Sequence, residues 1–323
     1  MNWTHLKARL LSAGTVRLTG EPADRFVERS RAGPGAGGEG SVFFTPGDRR
    51  RVRLSLDPAS DIELVHRGEG RAELRIRGEV VAGRFEAIGL HCPRQAYITV
   101  SEGCIFRCSY CPVPLQEARV KTPDEVAALV ERVLPEIDAI SLTSGVVGSV
   151  EEDERRVLEV VRRVASFGKP VGVSIYPLAE TPRRLHALGV AEVKFNVETA
   201  TEALFRRHCP GLDREALMDA LRDSVDLFGR NHVFSNVILG LGETDEELEQ
   251  CIEELCAAGV IPVVRPLTPS AGCAGFERPS AARIETICAV HARHLAQAGL
   301  DPAQALTMCP ACTGCDLVPG RDA

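Results

Sequence analysis

Ser101-Glu102-Gly103-Cys104-Ile105-Phe106-Arg107-Cys108-Ser109-Tyr110-Cys111-Pro112 sets three cysteines at a C-x3-C-x2-C spacing. The stretch directly follows Ala96 to Val100, an apolar run that reads as a strand. Three soft thiolates on a loop at a strand's carboxyl end can hold three irons of a cubane [4Fe–4S] cluster and leave the fourth iron without a protein ligand. Such an open iron can chelate a substrate or cofactor. The competing reading is a zinc site completed by a neighbour such as His91 or Cys92. The spacing, with an aromatic before the last cysteine, is unusual for zinc.

Working outward from this loop, strand and helix alternate. Further strands are expected at Ala139 to Thr143, Val171 to Tyr176, Val193 to Val197, Val233 to Leu239 and Val260 to Val264. Helix starts are marked by Thr122-Pro123-Asp124-Glu125 and Thr244-Asp245-Glu246-Glu247, each with a hydroxyl at the cap and a glutamate three residues on. Val126, Leu129, Val130 and Val133 then repeat at helical spacing, and Gly259 supplies a left-handed stop after the second of these helices. Such alternation implies a parallel sheet with right-handed crossovers. Six βα units are too few for a closed eight-stranded barrel. The expected class is therefore α/β, a partial (β/α)6 TIM-like barrel over residues 91–300, with a doubly wound sheet as the open alternative. Either architecture places its chemistry at the carboxyl ends of the strands. Residues 1–90 read as a small α+β module rich in strand. It has a helical pattern from Trp3 to Leu11, a flexible glycine-rich loop from Gly33 to Gly40, and short antiparallel strands at Arg51 to Leu56, Ile62 to His66 and Ala72 to Ile76.

The cysteine loop and the strand ends together resemble the radical S-adenosylmethionine (SAM) superfamily over about residues 95–300. That resemblance implies a [4Fe–4S] cluster on Cys104, Cys108 and Cys111, with SAM bound at the open iron and cleaved to a 5'-deoxyadenosyl radical that abstracts a substrate hydrogen atom. It also implies where SAM is held, with Tyr110 of the cysteine loop among the contacts. After the second strand, Thr143-Ser144-Gly145-Val146 stands where the family commonly has Gly-Gly-Glu for the SAM amino group, so Ser144 and Gly145 take that place without its acid. Asn196 and Glu198 share one face of the fourth strand by the two-residue period and suit ribose hydroxyls, or they cap the next helix. Asn236-Val237-Ile238-Leu239-Gly240-Leu241-Gly242-Glu243 resembles the family's G-x-I-x-G-x-x-E. Asn236 replaces the first glycine, Ile238 is expected to pack on adenine, Gly240 to let the backbone approach the ligand, and Glu243 to complete the motif.

A second triplet, Cys309, Cys312 and Cys315, occupies the last stretch, residues 301–323, at C-x2-C-x2-C spacing. Proline and glycine break regular structure there, so the thiols can converge on one centre. An auxiliary iron–sulfur cluster is preferred over zinc or a disordered reduced tail. Cys92, Cys209 and Cys273 lie on loops and could supply a fourth ligand. Cys251 and Cys256 fall on an apolar helical stripe and read as core, as do Cys288 and His291. Arg265, at the end of the sixth strand, either binds a carboxylate or pairs with a nearby acid.

The chain has 323 residues, 44% apolar and 26% charged, with 12 cysteines and a net charge of −7. This balance leaves no electrostatic footprint for nucleic acid or an anionic membrane. No run approaches the length of a membrane span, and the start lacks the charged and apolar regions of a signal peptide. A cytoplasmic setting is expected, where clustered thiols stay reduced and serve metal or redox chemistry.

Asn196-Val197-Glu198-Thr199, Cys209-Pro210-Gly211 and Gly240 to Thr244 resemble lipoyl synthase and, less closely, biotin synthase. Both insert sulfur at unactivated C–H positions. The extra triplet at the C-terminus looks closer to the two-protein lipoyl synthases. This resemblance implies an octanoyl-carrier substrate, a reducing electron donor and a sister radical SAM protein. The alternatives are another radical SAM reaction, in cofactor biosynthesis or protein or RNA modification, and a zinc-binding interaction module.

Overall fold

The computed structural model describes residues 2–30, 38–47, 50–269 and 275–322. Its first layer is a helix, α1 (Trp3–Ala13), followed by strands β1 (Thr15–Gly20), β2 (Ser41–Gly47), β3 (Arg50–Leu56), β4 (Glu63–His66), β5 (Arg71–Ile76) and β6 (Glu79–Phe85). These strands close into a barrel in the order β1-β3-β2-β6-β5-β4. Closure removes free edges, which a small sheet otherwise exposes to unwanted pairing. The three strands read from sequence make antiparallel pairs, β3 with β2 and β5 with both β4 and β6, whereas β1 runs parallel to β3 and β4. The sequence reading also passed over β1, β2 and β6. The alternation in β6 is weak, with only Phe85 fully buried, and β2 ends in Thr45-Pro46-Gly47, which reads as a turn. Most of the glycine-rich loop lies outside the described residues.

The second sheet contains β7 (His91–Cys92), β8 (Gln95–Thr99), β9 (Ala139–Thr143), β10 (Val171–Ser174), β11 (Glu192–Lys194), β12 (Val233–Leu239) and β13 (Ile261–Pro266). Spatial order follows chain order from β13 to β7, and every pair from β8 to β13 is parallel. A doubly wound sheet would reverse its order at a switch point. None occurs, so the sheet winds one way as an open partial barrel. All seven residues of β12 are buried, as expected of a parallel strand covered on both faces.

The outer helices are α2 (Pro123–Val133), α3 (Val150–Val164), α4 (Thr181–Ala187), α5 (Glu202–His208), α6 (Arg214–Phe228), α7 (Asp245–Ala257) and α8 (Ala281–Ala298), with a short α9 (Met308–Cys312) in the tail. Thr122 and Thr244 form full capping boxes with Glu125 and Glu247, as the sequence predicts. Cys251, Cys256, Cys288 and His291 are buried in the helical layer, again as expected.

The C-terminal segment is not loose. Glu192, fully buried at the start of β11, accepts hydrogen bonds from the backbone of Leu306 (2.9 Å) and Thr307 (2.8 Å) and from the Thr307 hydroxyl (2.6 Å). Gln95, at the start of β8, exchanges two hydrogen bonds with the Met308 backbone, at 3.0 and 2.8 Å. The tail thus closes the amino-terminal end of the strands. Its last turn is tied to α1 by Asp322, which pairs with buried Lys7 at 2.6 Å and accepts from Trp3 Nε1 at 2.9 Å. Among the described residues, no helix is long and apolar enough to cross a membrane.

Candidate active site

The loop carrying Cys104, Cys108 and Cys111 leaves the carboxyl end of β8 without regular secondary structure. Neighbouring backbone holds it in place. Ile105 N–H donates to Val146 C=O (2.8 Å), Ser109 N–H to His208 C=O (2.9 Å) and Gly145 N–H to Ser101 C=O (2.9 Å). All three cysteines are partly exposed, which suits ligands of a cluster that must meet a second molecule. Burial pushes Cys104 upward and Cys111 up to about 12, so loading metal here expels protons. Cys108 moves the other way, because the Cys209 thiol donates to it. Cys209 is fully buried and also lies 3.7 Å from Tyr110 Oη. Its nearness to Cys108 is legible only in three dimensions.

Several residues singled out from sequence converge beside this loop. Ile238 forms a small apolar patch with Leu241 and Leu267, against which Tyr110 and Phe276 pack, separate from the main core. Asn196 Oδ1 accepts from the Asn236 backbone at 3.2 Å. Asn236 itself has a buried Oδ1 with no partner, and it lines the central cavity. Glu198 sits at a backbone φ of 59°, in the left-handed region that costs a non-glycine residue about 1–3 kcal/mol. Burial raises its carboxyl, offset by Lys194 and by hydrogen bonds from Asn196 and Tyr110. Asn196 and Glu198 lie beyond the end of β11 at Lys194 rather than on one face of a strand, and the strained Glu198 is held with its carboxylate against Tyr110 of the cysteine loop.

Other residues expected to contact SAM are tied to neighbouring groups. Ser144 Oγ accepts from Ser101 N–H and donates to Asp153 Oδ1, both at 3.1 Å. Ser101 Oγ donates to the same Asp153 oxygen at 2.5 Å. Ser144 and Asp153 therefore brace the start of the cysteine loop, and Gly145 lies so close to Gly103 that no side chain fits between them. Glu243 accepts from the backbone of Gly240 (2.7 Å) and Leu241 (2.8 Å) and pairs with Arg283 (3.1 Å), so it shapes the turn below Ile238. Gly240, at a φ of +114°, is required by that turn.

A cavity of about 420 Å3 runs through the barrel. Asn196 and Asn236 line it, as do Lys194, Arg265 and the thiols of Cys309, Cys312 and Cys315. The tail cysteines thus approach from the base of the barrel rather than over its mouth, yet they face the same interior. Lys194 Nζ donates to Cys309 Sγ at 3.5 Å, and Tyr97 Oη lies 3.9 Å from it. Cys312 is lowered to about 7, chiefly because the Cys92 thiol donates to it. Asp316 is 2% exposed with neither carboxylate oxygen partnered, and Arg265 Nε is likewise buried and unpartnered. Cys273 lies outside the described residues. Among the described residues, no three His, Cys, Asp or Glu side chains gather as closely as a single metal ion requires. A cubane distributes its thiolates over separate irons. The fit to such a group rests on the soft donor set of each triplet and on the unpartnered polar atoms around it.

Residues 98–255 match the family model described as the Radical SAM superfamily. The lipoyl synthase of Leptospira biflexa is 26% identical over 238 residues, which cover 66% of this chain and 71% of that protein. Among solved structures, HydG, a maturase of the [FeFe]-hydrogenase, superposes with a TM-score of 0.53 at 17% identity, covering 61% of this chain and 48% of HydG. Streptococcus suis SuiB bound to S-adenosylmethionine gives a TM-score of 0.54 at 11% identity, covering 64% of this chain and 49% of SuiB. At these identities the structural likeness speaks for the fold, and this chain spans only about half of either protein. The ordered strand ends, the C-x3-C-x2-C loop and the matched family model lead to one assignment: residues 98–255 form a radical SAM domain, and the chain is an enzyme.

Proposed function

We propose that this enzyme uses SAM and a [4Fe–4S] cluster on Cys104, Cys108 and Cys111 to insert sulfur at an unactivated C–H position of an octanoyl chain borne by a carrier protein. When bound, cluster and SAM supply the electron and the 5'-deoxyadenosyl radical for hydrogen abstraction. The chain supplies placement. Ile238 and Tyr110 offer an apolar wall for adenine, while Asn236 Oδ1 and Glu198 offer acceptors for hydroxyl or amino protons. Burial of these groups excludes water that would quench a radical.

One observation carries the sulfur reading. The cavity lined by Asn196 and Asn236 also receives Cys309, Cys312 and Cys315. A substrate radical must meet its sulfur source within contact distance before anything else reacts. An auxiliary iron–sulfur cluster on the tail thiols, facing the same interior, satisfies that need. Relatives named lipoyl synthase agree with this chemistry. The reading also calls for a reducing electron donor, an acyl-carrier protein and, as the resemblance to the two-protein lipoyl synthases implies, a sister radical SAM protein.

The test is anaerobic reconstitution followed by incubation with SAM, reductant and an octanoyl-lysine peptide. Both 5'-deoxyadenosine and a thiolated peptide are expected. Deoxyadenosine without any thiolated peptide, even with the sister protein added, refutes sulfur insertion while leaving the radical chemistry standing.

A further inference from the structure

We infer that Cys92 is the fourth ligand of the tail site, so that Cys92, Cys309, Cys312 and Cys315 together enclose one [4Fe–4S] cluster at the base of the barrel. This rests on the reading that the tail holds an iron–sulfur cluster. It adds which residue closes it, and that no iron of this second cluster is left open.

Cys92 is far from the tail in sequence and against it in space. It ends the two-residue β7, which folds back onto the first barrel strand, and it is 2% exposed. Cys92 and Cys312 pack together under Phe43 in a small apolar cluster of their own. All four thiols line the same cavity. Cys209, by contrast, lies beside Cys108 and Tyr110, at the other cysteine loop.

Backbone strain gathers at the same place. His91 (φ 69°), Arg94 (61°), Met308 (57°) and Thr313 (57°) all hold left-handed conformations. His91 immediately precedes Cys92, Met308 precedes Cys309 and Thr313 follows Cys312. None is a glycine, and each such conformation costs about 1–3 kcal/mol unless surrounding structure enforces it. Two separate segments are thus bent to aim cysteines at one point.

The surroundings suit an anionic group. Lys194 donates to Cys309, and Arg265 and Arg53 also face the cavity. Arg53 donates only to neutral partners, Ser41, Ser30 and His91, and among the described residues none of these three cations forms an ion pair. Among the described residues, the carboxylates of Asp316, Glu28 and Glu102 line the same cavity, alongside the further cations Arg29 and Lys121. An iron–sulfur core wrapped by thiolates is negatively charged, and a buried wall rich in cations stabilises that charge far better than exposed cations could. The spacing points to the cubane over zinc: C-x2-C-x2-C is the run that holds three corners of a [4Fe–4S] cluster in bacterial ferredoxins, the fourth ligand coming from a distant Cys-Pro. Cys92-Pro93 is such a pair. With every corner held, the second cluster cannot chelate substrate through a vacant iron.

The experiment isolates the tail in a C104A/C108A/C111A background, reconstituted anaerobically and assayed for iron, sulfide and electron paramagnetic resonance. About four irons per chain are expected. Adding C92A should leave one corner unprotected, so that mild oxidation removes about one iron in four and produces a three-iron signal that the parent does not give. C92S, which keeps a weak oxygen ligand and the local packing, should fall between them, and C209A should match the parent. If C92A keeps its full iron through oxidation, Cys92 is not a ligand, although the tail still holds a cluster. If the background binds zinc or no iron at all, the auxiliary-cluster reading fails, and this inference with it.

Discussion

Replacing Gly145 by alanine should disable the radical SAM loop without touching a cysteine. A methyl group there would lie 2.0 Å from the Gly103 carbonyl oxygen, 3.0 Å from the Gly103 carbonyl carbon and 3.3 Å from the Ser101 oxygen. A relaxed contact needs about 3.5 Å, so the segments must separate by about 1.5 Å. All three obstructing atoms are backbone, and no rotamer change relieves them. Overpacking of this kind costs about 1–3 kcal/mol. The functional cost is larger, because Gly103 directly precedes Cys104 and carries the displacement into the ligand set. A misplacement of about 1 Å at reacting groups lowers rates on the order of 100-fold. The assay is single-turnover formation of 5'-deoxyadenosine by the reconstituted enzyme, with iron content and urea stability measured in parallel. G38A is the control, since a methyl group at Gly38 meets nothing within 4 Å. Deoxyadenosine formed by G145A within twofold of the wild-type rate would show that the close approach of the two loops does not position the cluster ligands.

Three further outcomes follow from the packing. His291 is 3% exposed with neither ring nitrogen partnered, and burial lowers it to about 3. The unfolded chain therefore takes up the proton first, and stability present above pH 6.5 is lost as pH falls, by about 1.4 kcal/mol between pH 7.5 and 5.5; H291L should remove that slope in urea titrations, and an unchanged slope would contradict it. Lys7→Met leaves buried Asp322 without its cation, and a loss of about 3–5 kcal/mol is expected, read as a lower urea midpoint and partly restored in K7M/D322L. Glu243→Ala removes the acceptor for two backbone N–H groups in the turn beneath Ile238, so the SAM dissociation constant should rise about tenfold with iron content unchanged; equal SAM affinity would mean that the turn does not shape the adenine wall.

The second sheet was largely legible because its signals are local. Capping boxes at Thr122 and Thr244 formed as written, and β9 and β12 fell at their expected bounds. The first barrel was harder to read. Its strands are short, one pairs in parallel with partners far along the chain, and parallel pairing leaves no turn between neighbours to betray it. Asp153 also escaped sequence reading. It lies on the buried face of α3, among acids that look like an ordinary charged first turn, and only its contact with Ser101 and Ser144 reveals its bracing role.

Amino-acid order alone determined which atoms could ligate metal and which strand ends would carry the chemistry. Ligand type depends on residue identity, and strand position on a periodicity of a few residues. Where the second triplet sits, and which distant cysteine packs against it, was decided by tertiary structure. The buried carboxylate of Glu192 and the amide of Gln95 draw the tail beneath the barrel, and the reversal at His91 turns Cys92 to meet it. No local pattern encodes that meeting, because it arises from hydrogen bonds between segments more than a hundred residues apart, made only once the core has packed.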